Sequence, residues 1–289
     1  LLRHVSYAFT EDPLRVLRVA RFAARYHHLG FTIAEETMEL LKSIVDQGEM
    51  EFLVAERVWK ETSRALTEQS PHIYIEVLRN CGALNVLFPE IDALFGVPQR
   101  ADYHPEVDTG IHTLMALEQA VKISDSGAVR FSVLVHDVGK ALTPDTVLPS
   151  HTGHETSGIP LVQAMCDRLG VPNQYRQLAM AVTEYHLHSH KAKELKPATM
   201  LKLFQSIGAL RDNNRLKDFL YCCEADARGR AGFEEITYQP KKYLTDALLA
   251  LQKVDISDLV ADGVKGSDIG VQLKQRQIEQ LTIFKSENL

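Results

Sequence analysis

The stretch Asp12-Pro13-Leu14-Arg15-Val16-Leu17-Arg18-Val19-Ala20-Arg21-Phe22-Ala23-Ala24-Arg25-Tyr26 shows in miniature how the whole chain folds. Asp12 is a good N-cap, Pro13 suits the first helical position, and Gly30 supplies a stop beyond Tyr26. At roughly 100° per residue, Val16, Val19, Ala20 and Ala23 form one face, while Arg15, Arg18, Arg21 and Arg25 fall in an opposite sector of about 120°. The pattern predicts a helix with one side packed and four guanidinium groups offered on the other. The same period predicts further helices at 34–46, 54–68, 71–80, 108–123, 128–138, 154–169, 174–187, 197–207, 212–228, 240–252 and 268–285. Gly30, Gly48, Gly82, Gly139, Gly170 and Gly208 fall near most of the proposed ends. Alternating runs of β-branched residues between turn signals are scarce, so the expected class is all-α.

Composition narrows the function. The 289 residues are 45% hydrophobic and 24% charged, with 32 basic against 38 acidic side chains and a net charge of -6. That excludes disorder and collagen-like repeats, and it allows one large or two modest domains. No apolar run approaches the roughly 20 residues of a membrane-spanning helix, so no membrane role is expected. Cys81, Cys166, Cys222 and Cys223 contain no CxxC pair and read as reduced thiols in a cytoplasmic protein. The stretch 95–105 has two prolines and no apolar period, which places a boundary near residue 100. The chain opens on Leu1-Leu2, with neither an initiator Met nor a targeting segment, and reads as a fragment. The acidic sum hides a basic start: residues 1–30 hold five arginines against Glu11 and Asp12, a local +3.

Two clusters point to chemistry. The arginine face is either an ordinary solvated surface or a set of planar forks for phosphates and base edges, which lysine cannot imitate. Asp12 and Arg15, three apart at the helix start, can project together, one accepting and one donating, and so read a nucleobase edge without a template. The second cluster is histidine. Eight of twelve (His104, His112, His136, His151, His154, His186, His188 and His190) lie within 104–190, and imidazole is the commonest metal ligand. His136-Asp137 closes the apolar segment Phe131 to Val135 ahead of Gly139, so both side chains leave a helix end. His112 sits in the preceding helix and Asp226 in a late one. Imidazoles and carboxylates from three helices can meet only in a helical core, where they suit a divalent transition ion. The alternative is a set of histidines satisfied within a polar core. His104, His188 and His190 are expected to face solvent. Arg228 and Arg230 either bind phosphates or pair with Glu234 and Glu235.

Leu2-Arg3-His4, the segment Glu11 to Arg18, and Glu56-Arg57-Val58-Trp59-Lys60-Glu61 together resemble the later motifs of the bacterial CCA-adding enzymes, the class II tRNA nucleotidyltransferases. The likeness extends to Arg276-Gln277-Ile278 and is closest to the family's long bacterial form. It implies nucleotide binding by Glu11, Asp12, Arg15 and Arg18, with Asp12 and Arg15 selecting CTP or ATP. It also implies a supporting helix at Ala55 to Leu66, and tRNA as the macromolecular partner. Nucleotidyl transfer in that family uses magnesium on an upstream Asp-x-Asp. This chain contains none, and Gly266-Ser267-Asp268 reads as a helix start, so the expectation is a neck, body and tail without the catalytic head.

The order His, His-Asp, distant Asp resembles the HD phosphohydrolases. That resemblance implies metal ligands at His112, His136, Asp137 and Asp226, with His136 and Asp137 as the catalytic dipeptide and His154 and His186 as candidate further ligands. Lys140 becomes a candidate for orienting phosphate. The implied activities are phosphatase, 2′-nucleotidase and 2′,3′-cyclic phosphodiesterase, acting on 2′,3′-cyclic nucleotides or phosphorylated tRNA ends with nickel as the candidate ion. The expected division is a neck and body at 1–100, an HD domain at 101–230 and a helical tail at 231–289, in a monomer or homodimer. Two other readings stay open: a non-catalytic tRNA-binding body with an empty HD site, and a stand-alone HD nucleotide hydrolase.

Overall fold

The computed structural model describes residues 1–258 and 266–288, and among them only helices, turns and two isolated β-bridges occur. The α-helices are α1 (Leu14–Tyr26), α2 (Glu35–Asp46), α3 (Ala55–Leu66), α4 (Pro71–Asn80), α5 (Ala83–Leu87), α6 (Pro89–Asp92), α7 (Thr109–Ile123), α8 (Gly127–Val135), α9 (His154–Leu169), α10 (Asn173–His190), α11 (Pro197–Ser206), α12 (Asn213–Arg228), α13 (Gln239–Leu251) and α14 (Ser267–Asn288). The all-α class is as the periodicity predicts. The expected helices are present, with ends within a few residues, as fraying and capping allow. Two short helices, α5 and α6, escape a periodic reading because neither is long enough to repeat a face.

Two compact units form, one from Leu1–Glu184 with Tyr221–Ile236 and the other from Tyr185–Leu220 with Thr237–Leu289. The Pro-containing stretch near residue 100 lies inside the first unit. The tail expected at 231–289 begins in the first unit, continues in the second, and includes residues 259–265 and 289, outside the described residues.

In the first unit, α1 packs on α3 and α4, α3 packs on α8, and α7 packs on α8. The Leu14 amide donates to Asp12 Oδ1 at 3.1 Å, so Asp12 does the capping, and Gly30 closes the C-terminal turn at φ +79°. Val16, Leu17, Ala20 and Ala24 are completely buried. The small side chains let the helices approach closely.

One expectation about this helix is corrected. Arg21 does not join Arg15, Arg18 and Arg25 on an open face: it is 8% exposed and pairs with Glu61 of α3 at 2.7 Å and with Glu68 at 3.4 Å. On the helical wheel Arg21 lies about 40° from Leu17, so it borders the packed stripe and is drawn in with it. A buried guanidinium requires a partner, and Glu61, itself 6% exposed, supplies one.

Another buried arginine joins α3 to α8. Arg130 donates Nη1 to the carbonyls of Leu66 (2.9 Å) and Glu68 (3.1 Å) and Nε to that of Ser124 (3.0 Å). It thereby satisfies carbonyls that the end of α3 leaves without helical donors. Beside it, Trp59 of α3 meets Phe131 and Tyr175 edge-on, with centroids 5.4 and 5.1 Å away. The helix that ends at His136-Asp137 is therefore held along its length. In the second unit, α14 packs on α11 and α13, burying Leu281 and Phe284.

Candidate functional site

The end of α8 is where the first unit gathers its ionisable groups. Val135 is the last residue in α-helix, His136 and Asp137 follow, and the chain tightens into a 3-10 turn at Val138–Leu142. This turn lies against the start of α9, and the approach depends on glycine: a Cβ on Gly139 would fall 2.0 Å from the carbonyl oxygen of His154. On the other side, a Cβ on Gly229, just after α12, would fall 2.5 Å from Cα of Ala116 in α7. These two close approaches bring Asp137 to His154, and Asp226 to His112.

His112, His136, Asp137, Asp226 and His154 are each 6% exposed or less. His112 Nε2 lies 3.1 Å from Asp226 Oδ1 and 3.9 Å from Asp137 Oδ2. His136 Nε2 lies 3.2 Å from Asp137 Oδ2 and 3.7 Å from Asp226 Oδ1. His154 Nε2 lies 3.1 Å from the other Asp137 oxygen, Oδ1. The four expected ligands therefore meet at one point, with His154 beside them. His186 is also buried, on α10, but belongs to the second unit.

The opposite ring nitrogens fix how the rings face the carboxylates. His136 Nδ1 faces the carbonyl of Val133 at 2.7 Å, and His154 Nδ1 faces the carbonyl of His151 at 2.7 Å. A carbonyl only accepts, so in both rings Nδ1 carries the proton and the neutral tautomer places its lone pair on Nε2. Each lone pair then faces carboxylate oxygens, an arrangement that repels unless a proton or cation lies between them. Burial opposes the charged imidazolium at His136, but the carboxylates of Asp137 and Asp226 outweigh it and raise its pKa to about 10. Burial likewise opposes ionisation of Asp137, yet His136 and Lys140 hold it well below the usual carboxylate range. Imidazole nitrogens and carboxylate oxygens converging in this way fit a divalent transition ion.

Around the five groups sits a shell of which the sequence named Lys140, His104 and His151 but missed Gln99 and Glu106. Lys140 Nζ donates to Asp137 Oδ2 and to Gln99 Oε1, both at 2.6 Å, and Lys140 and Gln99 are buried. Glu106 Oε1 lies 2.9 Å from His112 Nδ1 and 3.0 Å from His104 Nδ1. His151 bridges Thr143 and the Pro98 carbonyl. Gln99 and His104 come from the stretch whose prolines read as a boundary, and Glu106 directly follows it. The one hint in sequence is that this Pro-containing loop also carries a histidine and a carboxylate just ahead of His112. His104 is thus corrected from solvent to a half-buried position against Glu106. His188 and His190 are half-buried too, and His190 Nδ1 lies 2.9 Å from the Tyr238 hydroxyl. Arg228 pairs as one reading allowed, donating to the Glu234 carbonyl at 2.6 Å and lying 3.8 Å from Glu235.

Two clefts complete the first unit's candidate surfaces. One of about 580 Å³ opens beside His154, lined by Gly139, Thr143, Ser150, Thr152 and Ser157 among others. Another of about 400 Å³ is lined by Arg3, His4, Phe9, Arg15, Arg18 and Phe22 among others. At the start of α1, Asp12 Oδ2 accepts from Arg57 at 2.8 Å, and Arg15 donates to the Ala8 carbonyl. Arg18 and Glu11 are exposed.

Residues 109–231 match the HD domain, and residues 30–95 match a domain described as the probable RNA and SrmB-binding site of polymerase A. The multifunctional CCA protein of Teredinibacter turnerae is 52% identical over 285 residues, 99% of this chain and 69% of that protein. That of Acinetobacter baumannii is 54% identical over 288 residues, 100% of this chain and 70% of that protein.

The chain belongs to the multifunctional CCA protein family.

Among solved structures, a CCA-adding enzyme in complex with CTP shares the fold at a TM-score of 0.58 and 17% identity, with 96% of this chain covering 58% of that one. The Thermotoga maritima CCA-adding enzyme complexed with tRNA-CCA aligns at a TM-score of 0.53 and 16% identity, over 97% of this chain and 62% of that one. The HD match in this multifunctional CCA family member contains every candidate metal ligand that the sequence singles out. The polymerase-type match begins at residue 30, after the helix that carries Arg15 and Arg18. No described helix is long and apolar enough to cross a membrane.

Proposed function

We propose that this chain is a metal-dependent phosphohydrolase at its HD centre, acting on 2′,3′-cyclic nucleotides and phosphorylated tRNA ends. The observation that carries this reading is the pair of Nε2 lone pairs, on His136 and His154, fixed by their Nδ1 partners and aimed at buried carboxylates. His112, His136, Asp137 and Asp226 would hold the ion, with His154 as a further ligand; His186, also buried, stays a candidate further ligand. A divalent ion held there supplies Lewis acidity toward a phosphoryl oxygen and lowers the pKa of water, for which nickel is the candidate. Lys140, poised between Asp137 and Gln99, adds a fixed positive charge where a phosphate would dock. The neutral hydroxyls of Thr143, Ser150, Thr152 and Ser157 offer hydrogen bonds to a sugar or base, and the cleft they line falls in the size range of small-molecule sites.

The second part of the proposal concerns α1. In the whole protein, CCA addition from CTP and ATP with magnesium would use Glu11, Asp12, Arg15 and Arg18 as nucleotide contacts. It is supported by the cleft that Arg15 and Arg18 share with Phe9 and Phe22. The division into a neck and body at 1–100, an HD domain at 101–230 and a tail at 231–289 describes these roles.

Metal analysis of the purified chain, with 2′,3′-cyclic AMP hydrolysis by wild type, His136→Ala and Asp137→Ala, tests the hydrolase. We expect a bound divalent ion and hydrolysis that both variants abolish. A chain without an ion, or variants hydrolysing at the wild-type rate, would rule the reading out.

A further inference from the structure

His112 differs from its two neighbours. His136 and His154 have their Nδ1 atoms on main-chain carbonyls, fixed by the turns they belong to. His112, in the first half of α7, has no such carbonyl; its Nδ1 faces a side chain, Glu106 Oε1, at 2.9 Å. Its position therefore depends on a residue outside its own helix.

Glu106 is set up for this contact. Its side chain is 3% exposed, and the same Oε1 lies 3.0 Å from His104 Nδ1, while Oε2 accepts from the Ala231 amide at 3.3 Å. Ala231 follows α12, which carries Asp226, so one carboxylate touches the segments bearing both members of the His112–Asp226 pair. The adjoining backbone is strained to place it: Val107, a β-branched residue, sits at φ +60°. Such a conformation persists only where surrounding bonds over-determine it. Here they do: the Gln99 amide donates to the Val107 carbonyl at 2.6 Å, and the Val107 amide donates to the His104 carbonyl at 2.9 Å. The next residue, Asp108, then caps α7 through the Ile111 amide at 2.9 Å.

We propose that Glu106 is a positioning residue of the metal centre: its carboxylate holds the His112 ring by Nδ1, so that Nε2 faces Asp137 and Asp226. A negative charge at Nδ1 also makes Nε2 a stronger donor to a metal, which a neutral carbonyl does less well. The proposal rests on the metal-centre reading above.

The test is Co²⁺ titration of the chelator-stripped chain, followed by visible absorption, for wild type, Asp137→Asn, Glu106→Gln and Glu106→Ala. We expect wild type to bind and Asp137→Asn to fail. Glu106→Gln keeps the shape and an accepting oxygen but loses the charge; its dissociation constant should rise about 10–100-fold, with an altered absorption spectrum. Glu106→Ala should lose more. Should the alanine variant not fold, the near-isosteric glutamine carries the comparison. Glu106 variants that melt lower without the ion yet bind Co²⁺ as wild type does would overturn the proposal and leave the metal-centre reading standing. Failure of the wild type to bind would overturn both.

Discussion

At His136 a proton and a metal ion compete for the same lone pair. Without the ion, the carboxylates of Asp137 and Asp226 keep the ring protonated up to a pKa of about 10. Binding must therefore expel that proton, and affinity should rise as pH rises. For this single proton the gain is about tenfold per pH unit below the folded pKa. Dissociation constants measured between pH 6 and 8, with proton release counted by calorimetry in buffers of different ionisation enthalpy, check the slope. A pH-independent affinity would show that no proton is held there. A second residue-scale prediction concerns Arg21. Arg21→Ala strands the buried Glu61 carboxylate and should cost about 3 kcal/mol in urea denaturation, whereas Arg21→Met with Glu61→Leu should recover most of it. Arg21 also shows where sequence reading stops. Its place on the wheel suits either a rim or an exposed face, and its partner lies forty residues away.

At the scale of elements, the helices were legible because burial imposes a period and because capping residues are local signals. The proposed HD quartet was legible through the family resemblance, with the crowding of histidines within 104–190 as the signal that drew attention to it. The outer shell was not: Gln99, His104 and Glu106 act from a loop, and no period relates Glu106 to His112. Nor did the sequence show why the elements approach so closely, which turns on two glycines serving as contact surfaces rather than as turns. Gly139→Ala should push the 3-10 turn off α9 and separate Asp137 from His154. Gly229→Ala should drive the end of α12 off α7 and separate Asp226 from His112. Each should cost about 1–3 kcal/mol and weaken metal binding in the folded variant. Gly270, within α14, has nothing within 4 Å of its Cβ position, so Gly270→Ala should be neutral or stabilise by about 0.5–1 kcal/mol. Thermal melts of the three variants, with and without Co²⁺, separate contact glycines from incidental ones.

At the scale of the whole molecule, the net charge of -6 disfavours a polyanion, so the proposed tRNA contact would have to come from local charge. Residues 1–30 carry a formal +3, but the structure spends part of it internally. Arg21 is neutralised by Glu61 and Glu68, Arg3 pairs with Glu36, and Arg25 lies 3.9 Å from Glu68. Arg18 is exposed, lines the cleft with Arg15, and forms no ion pair among the described residues. Each phosphate neutralised by such a cation releases condensed counterions, so the logarithm of the tRNA association constant should fall linearly with the logarithm of salt concentration. Arg18→Ala should make that slope shallower by about one unit and weaken binding to different tRNAs alike. Arg21→Met with Glu61→Leu removes as much formal charge from α1 but none that faces solvent, so its slope should match wild type. Filter binding or fluorescence anisotropy at 50–200 mM salt compares the two. If both variants shift the slope equally, the effect does not come from a phosphate contact at Arg18, because the double variant leaves the net charge unchanged; if neither does, α1 is not a tRNA or nucleotide surface and its arginines serve packing and solubility.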